Sequence, residues 1–281
     1  MSVRLKIWGC RGSAPTPGPD TVEYGGNTSC VEIRTYDDVA IVLDAGSGIR
    51  ALGAELLARG TRRVHLFLTH LHLDHLEGLR FFAPLWDDRV SVDLWGPPSP
   101  VANLRDRILR SFSPPLFPLD FRDIPARISF HDLPQPWSAD GISLTADFVL
   151  HPGPTLGFRI DTGRSTVVYL PDHEPALAGI AGKTTDWISG GTLCRGADVL
   201  LHDAQYFEDE YGERVGWGHS SVDAAVSFAR AVDARRLVLF HHEPNHSDRT
   251  LEALEDRARE LTGGDVAPPL LAREGMTLEL E

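Results

Sequence analysis

Short apolar runs alternate with polar, glycine-rich segments along this chain, and the period of the alternation changes from one segment to the next. Val3, Leu5 and Ile7 alternate with polar neighbours and predict a first strand. Val31 to Thr35 and Val39 to Leu43 predict two more, and a helix is expected from Ile49 to Ala58, stopped by Gly60. Val64 to Leu68 is short, apolar and rich in β-formers, and reads as a buried strand. Apolar residues at Leu76, Leu79, Phe82 and Ala83 predict a helix from Leu76 to Trp86. A strand from Val90 to Trp95 and a helix from Val101 to Phe112 follow. The proline-rich stretch Ser111 to Pro118 forbids regular structure, and is either a lid or a crossover packing its aromatics on the body.

Further along, Ile142 to Leu150 predicts a strand, and Phe158–Ile160 with Val167–Leu170 a hairpin turning at Asp161-Thr162-Gly163-Arg164. Trp187 to Arg195 is weakly helical, and Ala197 to Leu201 is a buried strand. Ser220 with Asp223 suggests a capping box, opening a helix whose stripe is Val222, Ala225, Val226, Ala229 and Val232. Leu237 to Phe240 is the last strong core strand, and a helix from Thr250 to Leu261 should stop at Gly263-Gly264, before Met276 to Leu280 closes the chain. Strand, helix and strand in succession predict an α/β architecture. Neither repeat nor linker interrupts it, so residues 1–281 are expected to form one domain.

The groups able to do chemistry gather where the predicted strands end. Thr69-His70-Leu71-His72-Leu73-Asp74-His75 follows one strand, and His151, Asp172, His202-Asp203 and His241-His242 follow four others. In extended backbone alternate side chains share a face, so His70 and His72 can grip one ion, while Asp74 and His75 come after the chain turns and can reach a second. Imidazole nitrogen and carboxylate oxygen, with no thiolate, suit zinc, and manganese or iron are the alternatives. The early loops Gly9-Cys10-Arg11-Gly12-Ser13 and Tyr24-Gly25-Gly26-Asn27-Thr28 are either ordinary tight turns or a phosphate cradle presenting Ser13, Asn27 and Thr28.

His70-x-His72-x-Asp74-His75 resembles the signature of the metallo-β-lactamase superfamily. The resemblance implies a four-layered αββα sandwich and a dinuclear hydrolase. It would put His70, His72 and His151 on one ion and Asp74, His75 and His241 on the other, with Asp172 bridging. His241 directly follows its strand, as the family ligand does, which leaves His242 behind the ligands or against substrate. Asp44 resembles the aspartate that orients the family's metal-ligating histidines. His202-Asp203-Ala204, followed by Gly218-His219-Ser220, resembles the His-Glu-Ala-Thr and His-Ser-Thr pair of the tRNase Z-like phosphodiesterases, with Asp203 in place of glutamate. That implies catalytic roles for Asp74, His219 and Asp203. The short hairpin between His151 and Asp172 leaves no room for the arm that grips tRNA in the bacterial processing enzymes.

Charge and cysteine usage narrow the partners. The net charge is −13, and Lys6 and Lys183 are the two lysines, whereas binding a long nucleic acid normally takes a basic surface. Charge thus favours a small substrate, and the resemblance implies a phosphodiester, such as a cyclic nucleotide, attacked by a hydroxide held between two ions about 3.5–4 Å apart. Thioester or lactone hydrolysis, RNA 3′-processing and a non-catalytic metal-binding regulatory module are the alternatives. Three scattered cysteines, no signal-like segment after Met1 and no membrane-length apolar run predict a cytoplasmic protein without a membrane partner. A homodimer stays open.

Overall fold

The computed structural model describes residues 3–34, 39–139, 141–175, 184–263 and 267–280. Thr35 and Gly264, the expected ends of a strand and of a helix, lie outside them, as does Lys183. The first half of the chain supplies β1 (Val3–Gly9), β2 (Cys30–Arg34), β3 (Val39–Leu43), α1 (Ile49–Ala58), β4 (Arg63–Phe67), β5 (Ser91–Gly96), α2 (Leu104–Leu109) and β6 (Arg127–Asp132). The second half supplies β7 (Trp137–Ala139), β8 (Ile142–Phe148), β9 (Leu156–Asp161), β10 (Thr166–Leu170), α3 (Gly191–Cys194), β11 (Val199–Asp203) and α4 (Glu208–Tyr211). It ends with α5 (Val222–Ala231), β12 (Leu237–Phe240), α6 (Asp248–Thr262), β13 (Leu270–Leu271) and β14 (Thr277–Leu280).

These strands make two seven-stranded sheets, ordered β14-β1-β2-β3-β4-β5-β6 and β13-β12-β11-β10-β9-β8-β7. Their facing sides bury one core, in which Phe67 and Ile41 of the first sheet meet Phe158, Tyr169 and Phe240 of the second. Ile49, Leu52 and Leu56 of α1 cover the outside of the first sheet; Val222, Val226, Leu251 and Leu254 of α5 and α6 cover the second. The result is the expected helix–sheet–sheet–helix layering. Among the described residues no helix is long and apolar enough to cross a membrane.

Strand direction positions the site. β10, β11 and β12 run parallel, and β8 and β10 are each antiparallel to β9, so β8 shares their direction. Their C-terminal ends therefore emerge on one edge of the sheet. The loop after β4 joins that edge from the first sheet, tied by a 2.9 Å hydrogen bond from Leu156 N–H to the Thr69 carbonyl.

Several local expectations are corrected. Leu76–Trp86 is two short 3-10 turns, Glu77–Phe81 and Ala83–Trp86, because Phe82 is extended and Pro84 cannot donate its backbone nitrogen to a longer helix. The helix sought from Val101 to Phe112 begins only at Leu104, capped by Asn103, whose side chain accepts from Asp106 N–H. Ser221, not Ser220, caps α5, so the Ser220–Asp223 box does not form. Phe112 and Phe117 of the proline-rich stretch are buried, with Phe117 packed against Phe112, Phe81 and Trp86, which is the crossover alternative.

Candidate metal centre

The strand ends bring two groups of side chains together. His70, His72, His151 and Asp172 form one, and Asp74, His75, Asp172 and His241 the other, each with its donor atoms within 4.8 Å of one another. Asp172, at the end of β10, belongs to both and divides its oxygens between them. Oδ2 lies 3.7 Å from His70 Nε2 and 3.5 Å from His151 Nε2; Oδ1 lies 2.9 Å from His75 Nε2 and 3.3 Å from His241 Nε2. Asp74 Oδ2 is 3.3 Å from His75 Nε2 and 3.2 Å from His241 Nε2. Sequence reasoning placed all seven at one site, and here they converge.

Whether such a cluster fits cations can be tested on its own atoms. His70 Nε2 is buried without a hydrogen bond, and His75 Nε2 and Asp172 Oδ1 have only each other, at 2.9 Å, an arrangement that is costly for His70 unless an ion takes its free nitrogen. Burial pushes the His70 and His151 pKa values down, and partial desolvation does the same at the more exposed His72, which keeps their rings neutral and their lone pairs available. Burial also disfavours a charged His75, but Asp172, Asp74 and Asp44 around it outweigh that and raise its pKa well above the usual range. Positive charge is therefore stabilised at this point. Burial would raise the Asp172 carboxyl, yet His241, His75 and His70 hold it well below the usual carboxylate range. Neutral rings at His70, His72 and His151, ionised carboxylates, and a point at His75 where positive charge is favoured make a donor set suited to two borderline divalent ions.

A layer of hydrogen bonds aims these groups. His75 Nδ1 is 2.8 Å from Asp44 Oδ2, and Asp44 also accepts from the Thr69 N–H and hydroxyl, placing Thr69 Oγ1 3.0 Å from His70 Nδ1. One aspartate thus orients two histidines. His151 Nδ1 donates to the Gly218 carbonyl at 2.8 Å, which leaves Nε2 facing Asp172. Gly218 has φ +90°, and a Cβ there would stand 2.4 Å from His151 Nδ1, so no other residue fits. Glu174 holds that loop from beneath, accepting from Gly216 N–H at 2.9 Å and Gly218 N–H at 2.8 Å. Glu174, Thr69 and Gly218 escaped sequence reasoning; their signal lies in backbone geometry, and only adjacency to Pro-Asp-His and His-Ser hinted at it.

Beside the two groups stands a buried pair. Asp203 Oδ2 lies 2.6 Å from His219 Nδ1, and the carboxylate is fixed by Gln205 N–H and Ser220 N–H on Oδ1 and by His173 N–H on Oδ2. The His219 ring is 5.0 Å from that of His151 and stacks on that of His241 at 4.8 Å, so it borders both groups. Burial would lower its pKa, but the charge and hydrogen bond of Asp203 bring it up to about 9.

The residues of the early loops make hydrogen bonds within the protein. Ser13 N–H donates to Asp74 Oδ2 at 2.8 Å, so this residue supports a candidate ligand through its backbone. Asn27 is engaged by Glu274 and Ser47, and the buried Thr28 by Ser47 and Glu77, so both hold loops together. His242 is fully buried, its Nε2 2.7 Å from the Ala272 carbonyl, and stands away from the ligand groups. Clefts open on two sides: about 370 Å³ over His70 and His72, with Arg107 and Arg110 in its wall, and about 430 Å³ over His219 and Ser13.

Known proteins are similar to this chain in sequence and fold. The ribonuclease Z of Haloarcula marismortui is 24% identical over 319 aligned positions, covering 100% of this chain and 98% of its own. The metallo-beta-lactamase fold protein YhfI from Bacillus subtilis superposes with a TM-score of 0.72 at 19% identity, over 99% of this chain and 100% of its own. A diphosphatase of the PhnP family superposes with a TM-score of 0.66 at 20% identity, over 99% and 98%. The family model for the beta-lactamase superfamily domain matches residues 40–242, which span both candidate ion groups from His70 to His241, and the chain belongs to that superfamily.

Proposed function

We propose that the protein is a dinuclear metal-dependent phosphodiesterase acting on small, cyclic nucleotide-like phosphodiesters. The observation that carries this reading is the Asp203–His219 pair bordering two ligand groups that share Asp172. His70, His72 and His151 would hold one ion, and Asp74, His75 and His241 the other, with Asp172 common to both. Zinc suits the set best, with manganese or iron as substitutes. Bound ions would supply a water whose pKa falls from 15.7 to about 7 and a positive field for the phosphoryl oxygens. The chain's own residues do the rest. Asp74, steadied by Ser13 N–H, takes a proton from the attacking water. His219, held by Asp203 at Nδ1, gives a proton from Nε2 to the leaving oxygen.

Small substrates are supported by the charge of −13 and by the turn between Asp161 and Thr166, which carries no arm. RNA 3′-processing is the second reading, favoured by the ribonuclease Z relative. Three free, buried cysteines are in keeping with a reducing, cytoplasmic setting. The test is to offer the purified protein bis(p-nitrophenyl) phosphate, a thioester, a lactone and a precursor tRNA at physiological salt. Hydrolysis of the diester alone is expected. Efficient cleavage of the tRNA would favour the second reading, and turnover confined to thioester or lactone would defeat the phosphodiesterase assignment.

A further inference from the structure

Two imidazoles lie beside the site but outside both ligand groups. His173 and His202 are fully buried, and the Phe228 ring packs on both, with centroids 5.2 and 4.8 Å away. β10 and β11 run parallel with Leu170 opposite His202, so the residues after β10 meet the end of β11. There His173 Nδ1 lies 2.9 Å from His202 Nε2, and His202 Nδ1 lies 2.7 Å from the Asp203 carbonyl. A carbonyl can only accept, so His202 donates from Nδ1. Burial brings the His202 pKa down to about 4, which keeps the ring neutral and leaves Nε2 a bare acceptor. His173 must therefore donate to it from Nδ1, and both tautomers are fixed.

The backbone of His173 completes the link. It directly follows Asp172, its N–H donates to Asp203 Oδ2 at 3.2 Å, and its carbonyl accepts from the Ser220 hydroxyl at 2.6 Å. Oδ2 is the oxygen that holds His219. One residue thus joins the shared carboxylate, the carboxylate behind the acid and the neighbour of His219. The two imidazoles pin it in an apolar setting, where a lost hydrogen bond is costly.

We propose that His173 and His202 are positioning residues that hold the Asp203–His219 pair at a fixed spacing from the shared Asp172. The assignment rests on the phosphodiesterase reading for its consequence, because that spacing decides whether the proton on His219 reaches the leaving oxygen. It also gives a use to two buried polar rings that neither ligand group employs.

The test compares His173→Asn with His173→Gln. An asparagine amide nitrogen falls where Nδ1 stood and keeps the donor, whereas a glutamine amide reaches the place of Nε2 and loses it. Wild type and variants, as purified, are offered bis(p-nitrophenyl) phosphate and 2′,3′-cyclic AMP, whose leaving oxygen is an alkoxide that needs a proton. His173→Gln should lose roughly 10–100-fold on the cyclic diester and far less on the nitrophenyl one, at unchanged metal content. His173→Asn should restore most of that loss. His202→Gln, which keeps an acceptor for His173 but no donor for the Asp203 carbonyl, should behave like His173→Gln and stands in for it if that chain does not fold. A second readout needs no turnover: the far-downfield proton resonance of the 2.6 Å His219–Asp203 hydrogen bond should persist in His173→Asn and shift in the glutamine variants. Equal losses on the two substrates, an asparagine variant no better than the glutamine one, or a resonance identical in all variants would overturn the assignment. If the resonance responds as expected in a protein that hydrolyses neither diester, the positioning role stands and the phosphodiesterase reading falls.

Discussion

At His219 two opposed effects meet, burial that expels charge and a carboxylate at 2.6 Å that attracts it. The carboxylate wins, and the proton on Nδ1 belongs to Asp203, so only Nε2 can serve a leaving oxygen. His219→Ala should lower turnover on diesters with alkyl leaving groups by about 10²–10⁴-fold at unchanged metal content. The loss should shrink for p-nitrophenolate, which departs without a proton. An equal loss on both substrates, or loss of metal, would mean that the ring supports the site and does not act as an acid. Individual residues were legible wherever chemistry is rare and concentrated. His70, His72, Asp74 and His75 announce themselves within six positions, and His151, Asp172 and His241 each follow an apolar strand. Ser13, Asn27, Thr28 and His242 carry no comparable sign, because small hydroxyls, amides and imidazoles also hold loops together, as they do here, and sequence does not reveal which way they face.

The loop Gly212–His219 shows how an element is set by contacts distant in sequence. Glu174, from the segment after β10, accepts from Gly216 and Gly218 N–H and so aims the Gly218 carbonyl at His151. Gly216 and Gly218 both have positive φ, +87° and +90°, but only a Cβ at Gly218 meets anything, Pro152 Cδ at 2.2 Å and His151 Nδ1 at 2.4 Å. The pair therefore separates strain from crowding. Gly216→Ala should cost about 1–3 kcal/mol of stability with little change in metal affinity. Gly218→Ala should add a displaced His151 and a roughly 10–100-fold weaker ion, measured by competition with a chelator. Equal effects from the two variants would refute this account. Elements were legible where apolar period and stop signal agree, as in α1, predicted and found at Ile49–Ala58. Leu76–Trp86 shows the right apolar positions without the helix, since an extended Phe82 and Pro84 interrupt the turn. β6 and β7 went unpredicted because both lie at one side of their sheets and much of each is polar.

Across the whole molecule, the candidate ligands come from both sheets: four from the loop after β4, and His151, Asp172 and His241 from the opposite sheet. An ion there would cross-link the sandwich, so its removal should be felt globally. With free ion at 100 times its dissociation constant, one site adds about 2.7 kcal/mol, or roughly 5–10 °C in Tm for a domain of this size. Chelation should lower Tm by at least that much, and elemental analysis should find close to two ions per chain before it. Asp172→Ala should lose both the ions and the response to chelator, because each group loses the carboxylate they share. A wild-type Tm indifferent to chelator, or two ions retained in Asp172→Ala, would remove Asp172 from its bridging place. The same geometry bears on how the chain matures. The ligand groups are separated by up to 171 residues of sequence, from His70 to His241, and nothing short of docking both sheets brings them within reach. A nascent or partly collapsed chain can offer the His70–His75 loop alone, so a pair of ions sharing Asp172 would bind only after both sheets have docked. Metal occupancy would then double as a built-in record of which molecules have finished folding.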